Sequence, residues 1–278
     1  MPTVVTVHLH TADPLFFDET WSLERPFRQL LASARPSPSP AEGQHDAFQP
    51  YTLSPLWRVH RRQRPNPGRA ALTAYRWRIC LLDDALAPPL LAGLQAMETL
   101  TLQDASLTVE EVTVETQGYP QLVRQAQEQV GDRPESARRL SLEFITPTVL
   151  RRSGLPMPLP DPLLVFRHYL LCWDTFAPPE FRVNLNLLDA IAFHVALTEH
   201  RLETRRVRPE GKPPRIGFLG SATYTVMAWE KLGPGFLEML HTLARFGTFC
   251  GTGEMTAQGL GQTRYGAPGE PRKPRRSP

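Results

Sequence analysis

The chain has 278 residues and a formal net charge of +3. A hydrophobic share of 41% excludes global disorder, and the length suits two domains or one large one. Cys80, Cys172 and Cys250 lie far apart with no CxxC pair, which argues against a disulfide framework and against a cysteine-built zinc site, and no apolar run approaches the ~18 residues of a membrane span.

No basic segment leads into an apolar stretch at the start, so a soluble, cytoplasmic protein is expected. Lysine stands only at Lys212, Lys231 and Lys273, so nearly all of the 31 basic residues are arginine. Proline accounts for 29 residues. A GC-rich genome would explain both biases. The functional reading of the arginine excess is phosphate recognition by planar, bidentate guanidinium groups.

Thr3 to His10 alternates, with Val5, Val7 and Leu9 on one face, and reads as a strand. Glu19 to Ala34 carries Leu23, Phe27, Leu30 and Leu31 at helical spacing, with Asp18 as a cap. A stiff proline-rich connector follows at 35–40. Trp57 to Arg69 reads as a basic loop, and residues 57–78 hold seven arginines and no acid. Ala71 to Leu82 is a strand with Tyr75, Trp77, Ile79 and Leu81 on one face and Arg76 and Arg78 on the other. Residues 85–98 form a helix with Pro88 and Pro89 in its first turn, and Leu107 to Val114 is the next strand.

The polar segment 115–137 is taken as the boundary between domains. Arg139 to Thr146 then begins a second series as a strand. Asp161 to Phe176 and Asn186 to Arg205 are predicted helices, Arg215 to Trp229 a strand or hairpin, and Pro234 to Phe246 a helix. The fold class is therefore α+β, with tandem ferredoxin-like (RRM-like, βαββαβ) domains at 1–125 and 138–265. A basic tail at 266–278 is expected to be disordered. That tail alone carries Arg272, Lys273, Arg275 and Arg276 against Glu270, which matches the whole net charge.

The strongest local signal is the stretch from Gly247 to Tyr265, with glycines at 247, 251, 253, 259 and 261. Successive N–H groups in such a stretch can make an anion-binding nest. It is neither a P-loop nor a Rossmann fingerprint, because the glycines follow a helix and no Lys-Ser/Thr pair is present. A plain turn between a helix and a last strand explains it equally well.

Four segments taken in order resemble the CRISPR-associated endoribonucleases that process precursor CRISPR RNA (the Cas-six family of the RAMP superfamily). Gly251-x-Gly253-x-x-Thr256-x-x-Gly259-x-Gly261-Gln262-x-Arg264 resembles the family's C-terminal glycine-rich loop. Phe144 to Arg151 resembles its F-x-T-P-T strand end, and Pro50 to Leu56 its N-terminal P-Y/F-T-x-S-P-L. Ile216 to Gly220 matches a further glycine-bearing strand. Glu254 departs from the pattern, which often has a basic residue there.

The resemblance implies attack of an RNA 2′-OH on the adjacent phosphate, without metal or cofactor, leaving a 2′,3′-cyclic phosphate and a 5′-OH. Such chemistry needs a base, an acid and positive charge on the phosphorane. Among the eight histidines, the resemblance favours His45 as acid/base, because it precedes the Tyr51 motif. Tyr51 would orient or donate, and Arg28 would add charge. His8 and His10 could face RNA from the first strand. His168, His194, His200 and His241 read as packing or surface residues.

RNA binding is expected from Arg58, Arg61, Arg62, Arg64, Arg76 and Arg78, from Arg151 and Arg152 near an interdomain cleft, and from the glycine-loop residues. Arg201, Arg205, Arg206 and Arg208 would add a basic helix end. The expected partner is CRISPR repeat RNA, as a hairpin or a single strand, and an effector complex or a second copy of the chain would be further partners. Two other readings stay open: a non-catalytic RNA-binding RAMP subunit, and an unrelated ferredoxin-like enzyme for a phosphorylated metabolite.

Overall fold

The structure is a computed structural model that describes residues 1–12, 15, 23–34, 48–59, 72–102, 105–131, 134–184, 186–209 and 211–266. Its first part runs β1 (Thr3–Thr11), α1 (Glu24–Ala34), β2 (Tyr51–Leu53), β3 (Trp57–Val59), β4 (Thr73–Leu81), α2 (Ala87–Gln95), β5 (Thr99–Leu102) and β6 (Ala105–Thr116). These strands make an antiparallel sheet in the order β2-β4-β1-β6-β5, with β3 also on β4. Apart from the added edge strand β5, this is the split-βαβ order. Val5, Val7, Leu9, Trp77 and Ile79 are fully buried in one core with Phe27 and Leu90, which covers one face of the sheet with α1 and α2. The other face carries Thr6, His8, His10, Arg76 and Arg78.

The chain continues through α3 (Tyr119–Val130), α4 (Pro134–Ala137), β7 (Arg139–Thr148), β8 (Leu150–Arg152), β9 (Leu155–Met157), α5 (Pro162–Phe176), α6 (Leu187–His194), β10 (Val195–Val207), β11 (Arg215–Val226), α7 (Pro234–Cys250) and β12 (Thr263–Gly266). The second sheet has the order β10-β11-β7-β12, again the split-βαβ order, and β8 and β9 form a separate small hairpin. Two ferredoxin-like folds in tandem are thus present.

Several elements depart from the sequence-based expectation. The polar segment 115–137 contains α3. Gly118 precedes Pro120 in its first turn, and Tyr119, Leu122, Ala126 and Val130 are buried at helical spacing against α7. A glutamine-rich outer face hid that stripe. Residues 195–205, expected to be helical, form β10. Beyond Leu197 only Leu202 and Val207 are apolar, so no stripe remains to hold a helix. A full-length ladder with β11 satisfies the backbone instead. Trp57–Val59 is a strand, and β5 is an added edge strand. Gly247 lies inside α7, where a Cβ would stand 2.5 Å from the Tyr169 ring.

The core is shared between the two sheets. Val4, Cys80 and Leu82 from the first part pack with Tyr119, Trp173 and Phe246 from the second. Trp173 meets Tyr119 and Phe246 edge-on at centroid distances of 5.0 and 5.2 Å. Each such pair contributes about 0.5–1.5 kcal/mol beyond burial.

Candidate nucleic-acid interface and active site

The face of the first sheet away from α1 and α2, covered at one end by α3 and α7, opens on a cleft of about 620 Å³ lined by Trp57, Arg76, Arg78, Thr248, Gln262 and Arg264, among others. Strand alternation puts Arg76 and Arg78 on this face, and pairing sets Arg76 opposite Trp57 on one side and His8 on the other. The Arg76 guanidinium lies 5.1 Å from the Trp57 ring centre. This cation–π contact presents an aromatic face and a positive charge together. Arg78 is held across the cleft, where Nη2 donates to the Thr248 carbonyl at 3.0 Å. Arg264, at the far wall, pairs with Glu143 at 2.7 Å.

The residues on either side of the glycine loop, Thr248 and Phe249 before it and Gln262 to Arg264 at its end, line this cleft. Gly251, Gly253, Gly259 and Gly261 all have positive φ. At Gly261 (φ +66°) a Cβ would lie 2.1 Å from the Thr252 carbonyl oxygen, and at Gly253 2.3 Å from that of Val149. Only glycine permits this folding-back. The N–H groups of Gly251, Thr252, Glu254, Gln258, Leu260, Gly261 and Gln262 are bonded within the protein. The expected anion nest is therefore not available at those positions. Instead, Gln262 Nε2 donates to the Leu53 carbonyl at 3.0 Å and ties the loop to β2.

Tyr51 and Arg28 meet at a second place, through Glu24. Arg28 Nη2 donates to Glu24 Oε1 at 2.7 Å, and the Tyr51 hydroxyl donates to the same oxygen at 3.3 Å. Gln258, on the 3₁₀ turn Thr256–Gln258 of the glycine loop, donates to Glu24 Oε2 at 3.1 Å. Burial and the Glu24 charge push the Tyr51 phenol up to about 12, so it is a neutral hydrogen-bond donor near pH 7. The Glu24 hydrogen bond raises Arg28, whose side chain is still 48% exposed. Sequence reasoning missed Glu24 and Gln258. The Glu24–Arg28 i,i+4 pair was the available signal, whereas nothing local links Gln258 to α1.

Other expected site residues are placed differently. His45, Arg61, Arg62 and Arg64 lie outside the described residues, as do residues 267–278 of the expected tail, whereas Gly266 belongs to β12. Arg58 is exposed on β3. Arg151 and Arg152 sit on the β8–β9 hairpin and do not line the cleft. Arg151 is bonded to the Gly154 carbonyl, and Arg152 is paired with Asp161, the cap of α5. Arg201, Arg205 and Arg206 are exposed on β10, not at a helix end. His8 and His10 are half-buried on the same sheet face as Arg76 and Arg78. His241 is fully buried, with Nε2 2.6 Å from the Ala137 carbonyl oxygen. His168 and Cys172 converge with Cys250, far from them in sequence, with their ligand atoms within 4.8 Å of one another.

Comparison with known proteins follows the same lines. Residues 142–263 match the family "CRISPR-associated endoribonuclease Cas6". A Streptococcus thermophilus Cas6 is 26% identical over 189 residues, 67% of this chain and 73% of that protein. A Mycobacterium tuberculosis Cas6 is 33% identical over 141 residues, 48% of this chain and 40% of that protein. Among solved structures, a Cas6 product complex superposes with a TM-score of 0.73 at 27% identity, covering 95% of this chain and 100% of the other. Thermus thermophilus Cas6 gives 0.68 at 25% identity, with 95% and 98% covered.

Proposed function

We propose that the chain is an endoribonuclease of the Cas6 kind, the family its residues 142–263 match, and that it cuts CRISPR repeat RNA by attack of the RNA's own 2′-OH. The products are a 2′,3′-cyclic phosphate and a 5′-OH end. The nucleophile belongs to the substrate, so the protein has three tasks: to align the 2′-OH with the phosphate, move two protons and stabilise the phosphorane.

His45 takes the acid/base role, because an imidazole exchanges protons near neutral pH. Tyr51, as a neutral phenol, donates a hydrogen bond and does not act as a base. Arg28, charged and half-exposed beside it, supplies positive charge. Trp57 offers a stacking face, and Arg76, Arg78 and Arg264 contact phosphates along the cleft. The observation that carries this reading is the Glu24–Arg28–Tyr51–Gln258 cluster. It fastens the glycine loop to α1 and holds a cation and a neutral donor together.

The test is cleavage of labelled repeat RNA in EDTA. Cleavage should survive chelation and stop when the nucleotide before the cut is 2′-deoxy. Binding without cleavage of the cognate repeat would overturn the proposal in favour of a non-catalytic RNA-binding subunit. His45→Ala should lower the single-turnover rate by ~10²-fold or more. A change within about threefold would remove His45 from the mechanism.

A further inference from the structure

We propose that His168, Cys172 and Cys250 form a binding site for a thiophilic divalent cation of the zinc class, separate from the RNA cleft. The three ligand atoms lie within 4.8 Å of one another. His168 and Cys172 share one face of α5 at i,i+4 spacing, with Cys172 Sγ 3.8 Å from His168 Nε2. In a tetrahedral zinc site with Zn–S of about 2.3 Å and Zn–N of about 2.0 Å, an S···N edge measures ~3.5 Å. That pair is therefore close to coordination distance already.

Cys250 comes from another element, the last residue of α7. The C-terminal end of a 17-residue helix favours a cation. Cys172 and Cys250 are almost fully buried, at 2% and 1% exposure. His168 is half-buried and leaves a way in, with the Phe48 ring edge-on at 5.4 Å.

Charge explains why a dication suits this place. Two thiolates and one neutral imidazole around a 2+ ion sum to zero, so a buried cluster carries no net charge. Without an ion, burial pushes the Cys250 thiol well up. Binding breaks two S–H bonds, forms two metal–sulfur bonds and releases two protons to solvent. No oxidation is involved. A water completes the fourth position from the His168 side. The ion would join α5 to the end of α7 next to Gly251, where the glycine loop begins.

Chelator-stripped, reduced full-length protein titrated with Co²⁺ tests this. A thiolate-to-cobalt charge-transfer band should saturate at one ion per chain and vanish on adding Zn²⁺, and Zn²⁺ should raise Tm. Cys172→Ser should abolish the band. His168→Gln, which keeps both sulfurs and needs little repacking, should weaken cobalt binding at least ~10-fold. Circular dichroism checks that each variant is folded. The proposal is overturned if the folded wild-type protein gives no band, or if the band survives unchanged in either variant. It is also overturned if the protein isolated without reductant carries a Cys172–Cys250 disulfide in place of an ion.

Discussion

His241 shows how one side chain links burial to pH. Its ring is fully buried between the Ala137 carbonyl and the Tyr265 hydroxyl, each 2.6 Å away. Burial lowers its pKa below the ordinary value of 6.5. The unfolded chain therefore takes up a proton here before the folded chain does. The stabilising effect is complete above pH 6.5 and is lost as pH falls through the folded value. The urea midpoint should fall between pH 7.5 and pH 5, and His241→Gln should flatten that dependence. Tyr51 makes a different residue-scale prediction. Tyr51→Phe removes the hydrogen bond to Glu24 at a stability cost of about 0.5–1.5 kcal/mol. It should also slow single-turnover cleavage about tenfold, or about 1.4 kcal/mol of transition-state stabilisation. An unchanged rate would leave Tyr51 with a packing role only, through its 4.4 Å contact with Phe27.

At the scale of elements, the glycine loop makes the sharpest prediction. Gly261→Ala places a methyl group against the Thr252 carbonyl at positive φ, and should destabilise the protein by at least about 2 kcal/mol. Gly211→Ala, at φ +68° with nothing within 4 Å of the added carbon, should cost only about 1 kcal/mol. Melting curves of the two variants compare a clash with backbone strain alone. The cleft strands make another. Arg76→Ala should lower the slope of log K against log salt for single-stranded repeat RNA by about 0.7, the value of one phosphate contact. An unchanged slope would move the RNA track away from β4.

These elements also mark what could be read from the sequence. The alternation in β1 and β4 and the apolar stripes of α5 and α7 are local, so they were legible. So was the glycine loop, whose composition is a local demand of its backbone. The β10 strand was not, because its conformation is fixed by pairing with β11, an element still to come in the chain. At the candidate site, Tyr51 and Arg28 were legible as candidates. Their common partner Glu24 was not singled out, and Gln258 joins it only through the tertiary fold.

For the whole molecule, the shared core predicts a single unfolding event. Val4, Cys80 and Leu82 are buried only when α3 and α7 are in place, and Thr52, Leu53 and Arg78 bond to residues 248–262. Calorimetry should show one cooperative transition for both sheets. Two resolved transitions would mean that these contacts do not couple them.

The same stitching has a consequence for biosynthesis. The Thr52–Phe249 bond joins residues 197 positions apart, and the Leu53–Gln262 bond joins residues 209 apart. At about 5–20 residues per second, a ribosome needs roughly 10–40 s to make that much chain. The first sheet thus emerges with Cys80 and Leu82 uncovered and the acceptor at Leu53 unmet, and stays so until residues 249–262 have been made. Nascent chains stalled before Gly251 should accordingly be more sensitive to protease at β2 and β4 than the released protein.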